Sequence, residues 1–152
     1  MTGLLLTGLL LFNPFIGLDE QMQAAAEAAE QEDETLAEED ELLMKIAEAE
    51  AEGEGTEGKA LVMLVVLNRV ESDSFPDTIA EVIYQDGQFS TVTDGRLDAA
   101  EPDRECYEAL ELISEWDGSE GALYFESCSG ESWHSRNLEL LFSYGNHSFY
   151  KE

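Results

Sequence analysis

The feature that most constrains this chain is the uninterrupted apolar run Ala60-Leu61-Val62-Met63-Leu64-Val65-Val66-Leu67, set among residues crowded with carboxylates. A segment apolar on nearly all sides has no face to offer water and belongs at the centre of a core. Thr56 and Glu57 ahead of it and Asn68-Arg69-Val70-Glu71-Ser72 behind it extend the run to helix length, which predicts a central buried helix, with a buried strand as the alternative that its β-branched residues leave open.

Other elements arrange themselves around that helix. Thr35 and Glu38 fit a capping box, and Leu36, Leu43, Ile46 and Ala47 recur at helical spacing until Gly53, which predicts a first helix over about 35–52. Ser72 to Pro76 reads as a turn, and Thr78-Ile79-Ala80-Glu81-Val82-Ile83-Tyr84 as a short capped helix. Gln85 to Gly95 reads as a surface loop or short strand, and Pro102 opens a helix to Asp117 with Cys106, Leu110 and Ile113 inward. Gly121 introduces a strand at Ala122-Leu123-Tyr124-Phe125-Glu126-Ser127, and the aromatic-rich end from Phe142 to Lys151 reads as a hairpin. Helices followed by a small antiparallel sheet define an α+β, mainly helical domain.

Thirty-five acidic residues face seven Lys and Arg, a formal charge of −28. That field repels polyphosphates, so nucleic acid is excluded as a partner. Gly3 to Gly17 is apolar, of signal-peptide length and shorter than the ~20 residues a membrane span needs. It reads as an export signal, with Ala24-Ala25-Ala26 as the cleavage neighbourhood, although no Lys or Arg precedes Lys45; an apolar tail packed on the domain is the alternative. No integral membrane span is expected.

Cys106 and Cys128 are too few for a disulfide framework and leave one bridge or two free thiols. With His134 and His147 they lack the short chelating pair of a zinc site, the glycines at 53–58 lack P-loop spacing, and no EF-hand loop occurs. No metal or cofactor is therefore expected.

Among so many carboxylates, Glu50 stands apart. It lies four residues after Ile46, three after Ala47 and seven after Leu43, on the apolar stripe of the first helix, whereas Glu48 and Glu52 do not. A carboxyl desolvated there suits a general acid. Gly53 and Gly55 flank Glu54 in a turn with little side-chain bulk, which leaves room for a cleft or simply ends the helix.

These residues carry a resemblance. Glu50-Ala51-Glu52-Gly53-Glu54, Glu57-Gly58-Lys59, Val65-Val66-Leu67-Asn68-Arg69-Val70, Gly87-Gln88-Phe89-Ser90, Ala122-Leu123-Tyr124-Phe125 and Gly145-Asn146-His147-Ser148-Phe149-Tyr150-Lys151 are similar to the SleB/CwlJ-type cell wall hydrolases, over about residues 46–151. The resemblance implies a lysozyme-like fold and peptidoglycan cleavage, with Glu50 as acid and base of a lytic transglycosylase acting on glycan strands. An amidase, a muramidase and a noncatalytic wall-binding or spore-coat module are the alternatives.

The implied division is an export or apolar segment at 1–18, an acidic linker at 19–34 and the catalytic domain at 35–152, acting as a monomer at the cell wall, spore cortex or outside the cell. Substrate-binding candidates are Glu54, Glu57, Gln88, Phe89, Ser90, Tyr124, Trp133, His147 and Tyr150. Phe89, Tyr124 and Tyr150 suit core packing as well, His147 a structural role, and Trp133 either a sugar platform or a lid on the core. Asn68-Arg69 reads as a polar lock, with Arg69 pairing a carboxylate such as Glu57. The sequence departs from the family at Thr91, where Pro is frequent and the change is expected to be silent, at Glu52, and at Glu126-Ser127-Cys128.

Overall fold

The computed structural model describes residues 17–128 and 130–152. The run read as an export signal lies outside them but for its last residues. No helix among the described residues is long and apolar enough to cross a membrane. The chain divides into two units, Met1–Ala37 and Glu38–Glu152.

Helix α1 runs over Leu18–Glu50. The sequence predicts its start at Thr35; instead helix begins at Leu18, and Thr35 donates its hydroxyl to the Gln31 carbonyl inside it. Alanine, glutamine and glutamate are strong helix formers, and Asp19 and Glu20 sit well in the first turn, so local propensity suffices without burial. Within Met1–Ala37 the described side chains are mostly exposed.

In Glu38–Glu152 the apolar run forms α2, Thr56–Val70, with every residue from Gly58 to Val66 buried. It packs against α3 (Ile79–Ile83), α6 (Arg104–Leu112) and β1 (Tyr124–Ser127). Leu43, Met44, Ile46 and Ala47 of α1 join Val62, Met63 and Val66 in the main core. Three strands, β1, β2 (Glu139–Tyr144) and β3 (His147–Lys151), form an antiparallel sheet in the order β1-β3-β2. Tyr124 pairs with Tyr150 and Ser127 with His147, and Phe149 packs on Leu61 and Val65 of α2. The fold is thus α+β, mainly helical with a small antiparallel sheet.

Three local readings change. Gln85–Gly95 contains no strand: Ser90–Thr93 is a helical turn, α4, followed by α5 at Arg96–Ala99. Phe89 and Thr91 point into the core there, which a surface loop would not allow. Helix α6 starts at Arg104, because Asp103 rather than Pro102 caps it by accepting from the Cys106 N–H, and it ends at Leu112. A further helix, α7 (Trp133–Asn137), opens on a capping box between Ser132 and Ser135.

Lys59 is almost fully buried. Its ammonium lies 2.7 Å from Glu48 of α1 and 2.7 Å from Asp103 ahead of α6, with Glu105 at 3.8 Å. Burial opposes its charge, but the hydrogen bonds to Asp103 and Glu48 outweigh that and raise its pKa. Glu48, Asp103 and Cys106 come close enough together to resemble a metal cage, and the ammonium of Lys59 is the cation they hold. The two cysteines are free and differently placed: Cys106 is buried and donates to Glu48, while Cys128 is exposed beside Ser148. Burial, reinforced by Glu48, pushes the Cys106 thiol up to about 12.

Two outcomes follow from this packing. Lys59→Ala strips Glu48 of its counter-charge and is expected to cost about 3–5 kcal/mol in urea unfolding, with Lys59→Met costing less because it refills the volume. Thiol labelling of the native protein is expected to modify Cys128 alone, and labelling after denaturation both residues.

Candidate active site

Helix α1 stops at Glu50 because Gly53, at φ +83°, takes the left-handed conformation that ends helices. About half a turn earlier the helix is anchored: Glu48 is held by Lys59. Two residues on, about 200° around the helix, Glu50 faces the other way. It lines a cleft of about 590 Å³.

The opposing walls come from distant parts of the chain. Gln88, Phe89 and Ser90 enter from the turn before α4, Arg96 from α5, Tyr124 to Ser127 from β1, Trp133 and His134 from α7, and His147 from β3. Of the residues predicted from sequence, Glu50, Gln88, Phe89, Ser90, Tyr124, Trp133 and His147 therefore share one cleft. Trp133 is 60% exposed, so it is not a lid on the core.

Glu54, Glu57 and Tyr150 are not among the lining residues. Glu54 is buried and accepts from the Asn146 N–H at 2.8 Å, with His147 Nδ1 3.7 Å away. A Cβ on Gly145, which has φ +55°, would stand 1.9 Å from the Glu54 carboxylate, so only glycine admits this contact at the β2–β3 turn. Glu54 thus supports the hairpin that carries His147. Glu57 accepts from the Tyr144 hydroxyl at 2.6 Å, and Tyr150 is buried with its hydroxyl donated to Glu126.

Arg69 does not pair with Glu57. Its Nε donates to the Leu123 carbonyl at 2.7 Å, and its guanidinium lies 4.9 Å from the Phe75 ring, 5.1 Å from Phe89 and 5.4 Å from Tyr124. Nη1 is buried without a hydrogen-bond partner, so the ring faces are what solvate the charge. Burial pulls its pKa down to about 10, which leaves it cationic at neutral pH. Asn68 beside it donates to the Ala122 carbonyl and to Ser119. This pair clamps the entry to β1 and seats the aromatic floor of the cleft.

Sequence reasoning missed Glu126 and His134. Glu126 accepts from Ser132, from Tyr150 and, at 3.1 Å, shares a hydrogen bond with His134 Nδ1. Burial alone would raise its pKa, but these partners outweigh it and hold the carboxyl below its ordinary range. The Ser132–Ser135 capping box was the available signal that Trp133 and His134 begin a helix. Nothing local announces that this helix returns to β1. In a chain of charge −28, two of the few arginines and both histidines line the cleft, which gathers basic side chains around Glu50.

The comparisons agree with this architecture. The sequence pattern of cell wall hydrolases matches residues 53–150, beginning just past Glu50. The spore cortex-lytic enzyme of Oceanobacillus iheyensis is 36% identical over 115 residues, 72% of this chain and 40% of that protein. Its namesake from Bacillus subtilis is 40% identical over 85 residues, 55% of this chain and 28% of that protein. The solved catalytic domain of the germination-specific lytic transglycosylase SleB from Bacillus anthracis aligns with a TM-score of 0.66 at 30% identity, covering 74% of this chain and 93% of that one. The Bacillus cereus SleB catalytic domain gives 0.63 at 32% identity, covering 75% and 91%.

The chain belongs to the cell wall hydrolase family. It spans less than half the length of the curated enzymes it matches, and nearly all of the two solved catalytic domains.

The Glu126 network sets an acid limit on the cleft wall. A carboxyl with a depressed folded pKa stabilises the fold above its unfolded value, near 4.3, and loses that contribution as pH falls through the folded value. The difference in urea midpoint between the wild type and Glu126→Gln is expected to be full well above the unfolded value and to shrink steadily as the pH is lowered below it.

Proposed function

We propose that this chain degrades peptidoglycan as a lytic transglycosylase, cleaving the bond between N-acetylmuramic acid and N-acetylglucosamine with Glu50 as both acid and base. The observation that carries the reading is the unequal state of the two glutamates in the cleft. Glu126 has both oxygens engaged by Ser132, Tyr150 and His134, whereas among the described residues Glu50 has a hydrogen bond on Oε1 alone. A hydrolase of the two-carboxylate kind needs a second carboxyl free to activate water. Glu126 is committed elsewhere.

In the proposed reaction, protonated Glu50 gives its proton to the glycosidic oxygen as the C1–O bond breaks. The Glu50 carboxylate then takes the proton of the muramyl C6 hydroxyl while that oxygen closes onto C1 as a 1,6-anhydro ring. The enzyme is returned protonated and no water is consumed. Gln88 and Ser90 supply amide and hydroxyl groups for sugar hydroxyls, Tyr124 and Trp133 aromatic faces, and His147 a further polar contact. The presence of Glu126 in the same cleft favours muramidase hydrolysis as the second reading.

We assign residues 35–152 as the catalytic domain, an assignment supported by the family match over 53–150, and propose an acidic linker at 19–34 and an export segment at 1–18 ahead of it. We place the protein outside the membrane, at the wall or spore cortex, as a monomer.

Mass spectrometry of the products tests the reaction. Wild-type digests of murein are expected to carry 1,6-anhydromuramyl ends, one water lighter than reducing ends; reducing ends would establish hydrolysis, and freed N-terminal alanine an amidase. Glu50→Gln keeps shape and hydrogen bonding but not the transferable proton, and is expected to lower activity by about 10²–10⁴-fold with the fold intact.

A further inference from the structure

Thr91 is fully buried, yet it carries a hydroxyl, and that hydroxyl lies 2.6 Å from Glu50 Oε1. Among the described residues the Glu50 carboxyl has no other hydrogen-bond partner. We propose that Thr91 is a positioning residue that selects which oxygen of Glu50 carries the transferable proton. The proposal rests on the reading of Glu50 as the acid.

The terminal torsion of a glutamate side chain is soft and two-fold, so an unpartnered carboxyl presents either oxygen to a substrate. A hydroxyl donating to Oε1 breaks that equivalence and leaves Oε2 to hold and deliver the proton. After delivery the same donor hydrogen-bonds the carboxylate while it waits for the C6 hydroxyl proton. Thr91 itself exchanges no proton and forms no bond to substrate.

The hydroxyl is well placed for this because its turn is held at both ends. Phe89, just before α4, is buried under the Arg69 guanidinium. Arg96, just after it, donates to the Ser90 hydroxyl at 3.3 Å and reaches the Ala49 carbonyl at 3.5 Å, next to Glu50 itself. Thr91 and Glu50 are 41 residues apart in sequence and are brought to one hydrogen bond by these two anchors. The surroundings of Thr91 offer no reason of packing for a hydroxyl: an apolar side chain of the same shape would fill the site without burying a polar atom.

The test measures kcat and KM on soluble glycan-strand oligomers for Thr91→Val and Thr91→Ser. Valine keeps the shape and removes the hydroxyl, and serine keeps the hydroxyl. Thr91→Val is expected to lower kcat by about 10- to 100-fold with KM within about twofold and the thermal midpoint unchanged or higher, and Thr91→Ser to recover activity to within about threefold of wild type. Should the valine variant not fold, Thr91→Ala replaces it, since alanine and serine differ by the hydroxyl alone.

A hydroxyl-free variant with wild-type kcat overturns the proposal, as does a serine variant as impaired as alanine. Glu50→Gln measured alongside separates the two levels. If it is inactive while Thr91→Val is fully active, the positioning role falls and the acid stands; if it is active, both fall.

Discussion

The ammonium of Lys59 is the contact on which the rest depends. A cation removed from water needs carboxylates around it, and here they come from the end of α1, through Glu48, and from the cap of α6, through Asp103. The buried ammonium therefore sets the rotation of the last turn of α1 against α2 and α6. Since Glu50 lies two residues beyond Glu48, holding one carboxylate inside the domain aims the other at the cleft. The buried thiol of Cys106, donating to the same Glu48, fills the remaining space of this polar knot.

A second buried cation does comparable work at the far end of α2. Arg69 and Asn68 grip the Ser119 hydroxyl and the Ala122 and Leu123 carbonyls, which is where the chain enters the sheet. Three aromatic rings then pack over the guanidinium, two of which, Phe89 and Tyr124, also line the cleft. A helix so apolar in its middle is thus polar at both ends, and each polar end organises one wall of the cleft. Glu54 makes a smaller version of the same device, a buried carboxylate whose space is provided by Gly58 and Gly145 and whose hydrogen bond steadies the hairpin bearing His147.

What could be read in advance was whatever depends on neighbours along the chain. The burial of α2 follows from eight apolar residues in succession, and the projection of Glu50 onto the stripe with Leu43, Ile46 and Ala47 needs nothing beyond helical periodicity. The short capped helix after Asp77 and the aromatic hairpin at 142–151 are equally local. The apolar pattern marks only the later part of the first helix, over about 35–52, whereas alanine and glutamate carry helix back to Leu18 by backbone propensity alone.

Partnership was not legible. Glu48 falls off the apolar stripe and reads as solvated, yet it is drawn in by a lysine whose own burial no pattern reveals. Arg69 was given a carboxylate because charge suggests one, and it received carbonyl and ring faces instead. Thr91 reads as a silent replacement, Glu126 as an ordinary strand residue and His134 only as a poor zinc ligand, because their significance lies in contacts spanning 41 and 8 residues. The amino-acid sequence by itself determined the helices, the central position of α2, the aromatic hairpin and the singular placement of Glu50, since periodicity and propensity act over a few residues. Only the tertiary structure decided which charges are buried together and which side chains face Glu50 across the cleft, because those interactions exist only once distant segments have been packed against the same core.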